Sequence, residues 1–531
     1  MKLHSDSLHF EIMKGSTKPS GYIRNSYREN GKVKHQTISR INGLSLEQLQ
    51  NIKAAFNGNT IKIEDIVLSD GREYGASALL YGLAKKINLD KLIYSRNEPW
   101  VRNALAMIIG RVVYQGSKLS LSRIPEISCL WETCGVLEDK IDVNHHCYDA
   151  MDELLARQKN IQKKLAEKHF DDGAVILYDI TSSYLEGEYE DSKTVAYGHN
   201  RDKKRGKKQI VIALICTKDG CPVAIEVFKG NTSDSTTVKS KINEIKTGYG
   251  ISKFVFVGDR GMLKQKIIDE CCSDIDTVTA LTHSAIKALC EEKDVQLSLF
   301  DENTATEVIL PDEPQVRYGL CKNPLKAEKD AITRTELIEK TEAMLAEIAI
   351  PKKKTDAKTL AARAAKVFYK YKTEKYFNWD IKDMKIVYSR KQEVIATEKK
   401  YDGLYVIRSN VAGDVMNINE VVETYKSLAN IEQSFRSMKT VDLEIRPIYH
   451  RTDDRIKAHV FLCMLSYYLL WHLNKLLIPF YANRPNYTRD HVLEVMKSLQ
   501  KCKLTIAGIT TETIAELTEN QRIIQNLVAG Q

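Results

Sequence analysis

"AVILYDITSSYLEG", residues 174–187, is an apolar β-strand interrupted by one acid, Asp179. A basic loop follows, "HNRDKKRGKK" (199–208), and then "QIVIALICT" (209–217) and "CPVAIEVF" (221–228), joined through "KDG" in the manner of a hairpin. In "DSTTVKSKINEIKTGYG" (234–250), Val238, Ile242 and Ile245 share one helical face. "KFVFVGDRGM" (253–262) is a short buried strand ending at Gly258 and Asp259. Three strands joined by short turns and a fourth reached through a helix predict a mixed sheet, antiparallel in its first part and parallel where the crossover enters. Both aspartates belong to its strands.

Working outward, residues 1–75 read as a basic β/α module, with strand-like runs around Asn30-Gly31 and then the helical "SLEQLQNIKAAF". Residues 76–170 are helical in pattern. The core's first part spans 171–262. Residues 263–410 are too long for a loop, which predicts an inserted domain before the core resumes over 411–480. The tail, 481–531, is assigned to dimerisation.

"YKSLANIEQSFRSMK", 425–439, is amphipathic helix. Val421, Tyr425, Leu428, Glu432, Phe435 and Lys439 fall on one slowly drifting stripe, which places Glu432 on the inward face. Tyr425, Glu432 and Lys439 repeat at i, i+7, i+14, about 10.5 Å per step. Lys439 is then too far from Glu432 to pair with it and needs another anion; a nucleic-acid backbone lying along the helix would supply one.

Asp179, Asp259 and Glu432 thus all lie in apolar surroundings, where unpaired charges are costly. A divalent cation satisfies three acids at once, Mg²⁺ prefers oxygen ligands, and two such ions suit phosphodiester chemistry. Plain structural roles compete: Asp179 capping a turn through Thr181 and Ser182, Asp259 pairing with Arg260, and Glu432 pairing with Arg436.

Composition agrees with a globular nucleic-acid partner. The 531 residues are 43% hydrophobic and 28% charged, with net charge +9. Residues 351–400 hold 15 Lys/Arg against 6 Asp/Glu, and residues 1–60 hold 9 against 4. Eleven scattered cysteines and the opening "MKLHSDSLHF" point to a reducing cytoplasm. Cys129, Cys134, His145, His146 and Cys147 lack a paired C-x-x-C and read as buried thiols more readily than as a zinc site. The longest apolar run, "VFLCMLSYYLLW" (460–471), is a core helix, short of the ~20 residues that span a bilayer.

"LYDITSS", "VGDRGM" and Tyr-x6-Glu-x6-Lys together resemble the DDE-type transposases of bacterial insertion sequences, in the subgroup marked by a Tyr-Arg-Glu-Lys helix. "YGHNRDKKRGKKQIVIAL", "GNTSDSTT" and "RPIYHRTDDRIKAHVFLCMLSYYLL" extend the likeness over roughly 170–475. The resemblance implies an α/β multidomain protein whose ribonuclease-H-like mixed-sheet core is interrupted by an insertion. It implies Asp179, Asp259 and Glu432 as catalytic ligands of two Mg²⁺ ions, with Mn²⁺ as substitute. Tyr425, Lys439, Arg436, Arg201, Lys203, Lys204 and Arg260 are the expected DNA contacts. It further implies cut-and-paste hydrolysis and strand transfer on double-stranded transposon ends and target DNA, by a homodimer in the bacterial nucleoid, with no membrane and no nucleotide cofactor. The family arginine three residues after the tyrosine is Leu428 here.

A haloacid-dehalogenase-like phosphatase would need a second acid where Thr181 stands and another where Leu263 stands. A metal-dependent nuclease with the same core, or a catalytically inactive DNA-binding relative, are the remaining alternatives.

Overall fold

The structure is a computed structural model that describes the chain apart from residues 1–7, 15–18, 30–31, 59–65, 139, 200, 203, 205, 273, 350–355, 486, 507–508 and 531. The protein is mixed α/β and divides into two compact units. The first comprises Met1–Phe170, Ile180–Thr232 and Asn430–Gln531, and the second Asp171–Asp179 and Ser233–Ala429. Strands β1 (Leu8–Lys14), β2 (Pro19–Glu29), β3 (Lys32–Ile41) and β4 (Ile66–Glu73) precede the helical region. Then come β5 (Ala174–Tyr184), β6 (Gln209–Thr217), β7 (Pro222–Lys229), β8 (Phe254–Gly258) and β9 (Asp276–Ala280). The series continues with β10 (Thr306–Ile309), β11 (Arg317–Lys322), β12 (Phe377–Lys382), β13 (Lys385–Arg390) and β14 (Leu404–Ser409), and ends with β15 (Gln500–Ile506) and β16 (Ile509–Ile514).

A large mixed sheet has the order β10-β11-β14-β9-β8-β5-β6-β7. Its centre follows the sequence reading. β6 and β7 are antiparallel across a turn in which Gly220 takes φ +83°, and β8, reached through the helix Asp234–Asn243, pairs parallel with β5. The connection from β5 to β6 is not a short turn. It spans residues 185–208 and is tied down by bridges from Leu185 to Ile448 and from Ala196 to Gln209.

Residues 263–410, expected as one inserted domain, contribute β9, β10, β11 and β14 to this sheet. Here the helix His283–Glu292 supplies Ile286 and Leu289 to a core with Leu310, Tyr318, Leu320 and Val406. Between β11 and β14 the chain builds a separate core from Leu345, Ala364, Val367, Phe368, Phe377 and Ile386. The helix Ala357–Tyr371 buries Leu360, Ala364, Val367 and Phe368 and exposes Lys358, Arg363, Lys366 and Lys370, so the basic stretch is an outward face of that core.

In the first unit, the helix Asp453–Ala482 is buried without interruption from Ala458 to Leu470, packed by Pro99–Tyr114, Asp149–Ala156 and β7. It is long and apolar enough to cross a membrane, and 67% of its most apolar window is buried inside the protein. β1, β2 and β3 form an antiparallel sheet under the helix Leu46–Asn57, whose Ser45–Gln48 capping box satisfies its first turn. The Asn30-Gly31 turn lies outside the described residues. The tail returns to this module: β15 pairs with both β4 and β16, and Leu504 and Ile506 are buried with Phe10, Ile23 and Leu49.

Candidate active site

Asp179 and Asp259 lie in the second unit. β5 and β8 run parallel with Tyr178 opposite Gly258, so the register continued by one residue sets the two aspartates side by side. Neighbouring strands lie ~4.8 Å apart and equivalent positions on them share a face. Apolar strand residues flank the acids: Ile176, Leu177, Phe256 and Val257 are fully buried, Asp259 follows the end of β8, and Asp179 sits within β5 ahead of the buried Ile180, Thr181, Ser182 and Ser183. Asp259 is exposed and Asp179 half-buried. Asp259 Oδ1 accepts the Arg260 backbone N–H at 2.7 Å and the Tyr425 hydroxyl at 3.4 Å. The expected pairing with Arg260 therefore runs through its main chain.

Tyr425 ends the helix Ile418–Lys426, which Asn417 caps with Glu420 in a reciprocal box. The helix lies close on β11 at Gly319, where a Cβ would stand 3.2 Å from Ile418 and Val422. The helix is capped at Ser427, whose N–H still bonds the Glu423 carbonyl at 3.0 Å and whose hydroxyl donates to the Thr424 carbonyl at 2.6 Å, and a second helix runs over Leu428–Arg436. A π turn, Ser437–Val441, follows. Tyr425, Glu432 and Lys439 thus fall on three successive helical segments, Ile418–Lys426, Leu428–Arg436 and Ser437–Val441.

Glu432 is exposed, which corrects the inward placement. The buried series is Val421, Thr424, Leu428, Ile431, Phe435 and Met438, in 3-4-3-4-3 spacing. Ile431 and Met438 take the core positions, and Glu432 lies about 100° further round. Leu428 is an inward apolar residue, which accounts for its not being an arginine. Within the first unit the Glu432 helix is clasped at the β6–β7 turn. There Asn430 Nδ2 donates to the Lys218 carbonyl at 2.8 Å, and Ser434 Oγ to the Gly220 carbonyl at 3.3 Å.

Lys439 is buried. Its ammonium donates to Thr181 Oγ1 (3.0 Å), the Ser182 carbonyl (2.7 Å) and Asp202 Oδ1 (2.7 Å). Burial holds its pKa below the usual lysine value, and the hydrogen bond to Asp202 works against that shift. Arg446 also pairs with Asp202, and the Tyr184 N–H donates to Asp202 Oδ2 at 3.3 Å. The anion that Lys439 needs is therefore Asp202 in the free protein, where a phosphate was expected. Asp202 escaped notice in the sequence; the one signal was a single acid inside "HNRDKKRGKK".

Of the other expected DNA contacts, Arg201 is half-buried and its N–H donates to Ser182 Oγ at 2.9 Å, while Lys204, Arg260 and Arg436 are exposed. Lys203 lies outside the described residues. The structure thus brings Asp179, Asp259 and Tyr425 together in one unit, and places Glu432, Lys439, Arg201, Lys204 and Arg436 in the other. Cys129, Cys134 and Cys147 are buried thiols raised by desolvation, and His146 pairs with Glu138 at 2.9 Å. These residues do not assemble with His145 as a metal cluster among the described residues.

Two carboxylates, Asp179 within β5 and Asp259 just past the end of the parallel strand β8, the latter open to solvent, offer an all-oxygen donor set. That fits a hard divalent cation such as Mg²⁺ or Mn²⁺ and not a thiolate-preferring metal. None of the curated proteins compared with the chain matches it. The family described as "Transposase DDE domain" matches residues 171–469, more than half of the length, and includes both aspartates, Tyr425 and Glu432. The chain therefore belongs to the DDE transposase family.

Proposed function

We propose that the protein mobilises an insertion sequence by cut-and-paste transposition, with Asp179, Asp259 and Glu432 as the metal-binding triad of a ribonuclease-H-like core. The observation that supports this reading is the parallel pairing of β5 with β8 up to Tyr178 and Gly258, the residues just before Asp179 and Asp259, in a chain of the DDE transposase family. When bound, a pair of Mg²⁺ or Mn²⁺ ions would supply Lewis acidity at the scissile phosphate. Asp179 and Asp259 hold that charge, and the Arg260 N–H and Tyr425 hydroxyl set the rotation of the Asp259 carboxylate. Glu432, exposed on a helix docked through Asn430 and Ser434, is the third ligand. Lys439 is a positioning residue in this reading: it ties that helix to Thr181 and Ser182, two and three residues beyond Asp179 on β5.

Arg201, Lys203, Lys204, Arg260 and Arg436, with the outward lysines of Ala357–Tyr371, would meet the DNA backbone. The insertion is assigned to the segment between β11 and β14, residues 1–170 to end binding, and a homodimer to the paired ends. Incubating the protein with a labelled element end, target DNA and Mg²⁺ or Mn²⁺ tests the reaction. Strand joining is the expected outcome; hydrolysis without joining would make it a nuclease, and retention without cleavage a DNA-binding relative. Asp179→Asn or Asp259→Asn removes several kcal/mol of stabilisation at phosphorus, which lowers cleavage about a thousandfold with end binding retained. Undiminished cleavage by either variant would exclude that residue from the site.

A further inference from the structure

We propose that His169, Cys221 and His472 form a transition-metal site of the zinc class, using none of the carboxylates assigned above. Their ligand atoms all lie within 4.8 Å of one another, and Cys221 Sγ is 4.0 Å from His169 Nε2. Tetrahedral Zn²⁺ with ~2.0–2.3 Å bonds sets such atoms roughly 3.3–3.7 Å apart, so small side-chain rotations close the site. The three residues are far apart in sequence. His169 ends the helix Gln158–His169, Cys221 begins the approach to β7, and His472 lies two-thirds along Asp453–Ala482.

A second observation points to a ligand. His472 Nε2 is buried and has no hydrogen-bond partner among the described residues, which is costly for an imidazole nitrogen unless something binds it. His169 Nε2 shares a hydrogen bond with the Tyr468 hydroxyl at 3.0 Å, a contact that a metal would take over. Burial, with Lys168 next, pushes both histidines down to about 4, so they are neutral and carry the lone pairs a metal requires. Burial pushes the Cys221 thiol up, and a metal would release its proton on binding. Two imidazoles and a thiolate select zinc-class ions over Mg²⁺, and leave a fourth position to water.

The site's position gives it a structural task. Cys221 follows Gly220, whose carbonyl accepts the Ser434 hydroxyl from the Glu432 helix. A metal at Cys221 would brace this turn against two helices of the first unit.

Cobalt substitution in the full-length protein tests the proposal. After stripping with chelator, one equivalent of Co²⁺ should produce a thiolate-to-cobalt charge-transfer band that Asp179→Asn retains and Cys221→Ser abolishes. Second-sphere changes typically cost 10–100-fold in metal affinity, so His472→Gln, which removes a ligand, should weaken Co²⁺ binding by at least about tenfold. No charge-transfer band in the unsubstituted protein would overturn the site, as would a band unchanged in Cys221→Ser. If Cys221→Ser fails to fold, unaltered Co²⁺ affinity in His472→Gln would overturn it equally.

Discussion

Glu432 and Lys439 differ in what their loss should do, because one side chain is exposed and the other is enclosed. Glu432→Gln alters a solvent-facing carboxylate, so stability should stay within about 0.5 kcal/mol while cleavage is lost. A large drop in melting temperature would show that Glu432 holds the fold instead. Lys439→Met removes a buried ion pair and hydrogen bond from Asp202, which also pairs with Arg446, and should destabilise the protein by about 2–3 kcal/mol in urea unfolding. Adding Asp202→Asn should recover part of that loss, since the buried charge left behind is removed. With the ammonium enclosed, Lys439→Met should also leave the salt dependence of DNA binding unchanged. A slope smaller by about one counterion would place the lysine on a phosphate.

The helical segment 418–441 shows how one residue of phase separates core from surface. A regular helix from Val421 to Lys439 reads equally well with Glu432 or with Ile431 inward, because 3-4 and 4-3 spacings describe stripes that differ by one position. Burial selects Ile431 and Met438, so Ile431→Ala should cost about 2–4 kcal/mol, far more than Glu432→Ala. Equal losses from the two would contradict the phase described. Leu428→Arg, which writes in the arginine of the Tyr-Arg-Glu-Lys helix, would bury a guanidinium on an apolar stripe and should lower stability without raising activity. The strands β5 to β8 were legible to within a few residues at their ends, because continuous apolar runs and a Gly turn leave few alternatives, though the long β5–β6 connection was not. The participation of β9, β10, β11 and β14 in the same sheet was not, since strand partners are chosen by tertiary contacts, β9 pairing with β14 across the whole segment that separates them.

Across the molecule, the tail completes the N-terminal module through β15. Leu504→Ala should therefore cost about 2–4 kcal/mol and speed proteolysis within 8–57, although the mutation lies over 440 residues away. Unchanged protease resistance would separate the two. Stability should also fall in mild acid. Burial, with Lys168 or Lys118 next, holds His169 and His472 at about 4 and His450 at about 3 in the folded protein, against the usual 6.5. The unfolded chain then binds more protons between these values. The stabilisation is fully present above pH ~6.5 and is lost as pH falls toward ~4. Equal unfolding free energies at pH 7.5 and 5 would contradict this.

Sequence alone determined the sheet's central strands, the aspartate within β5 and the aspartate that ends β8, and the helix carrying Glu432, because these rest on local periodicity and on where an apolar run meets an acid. Only the tertiary structure decided that Glu432 faces solvent, that Lys439 answers to Asp202, and that the tail closes the first module. Each of these depends on which distant segment occupies the facing surface, and hydrophobic burial and charge pairing are settled by that neighbour rather than by residues nearby in the chain.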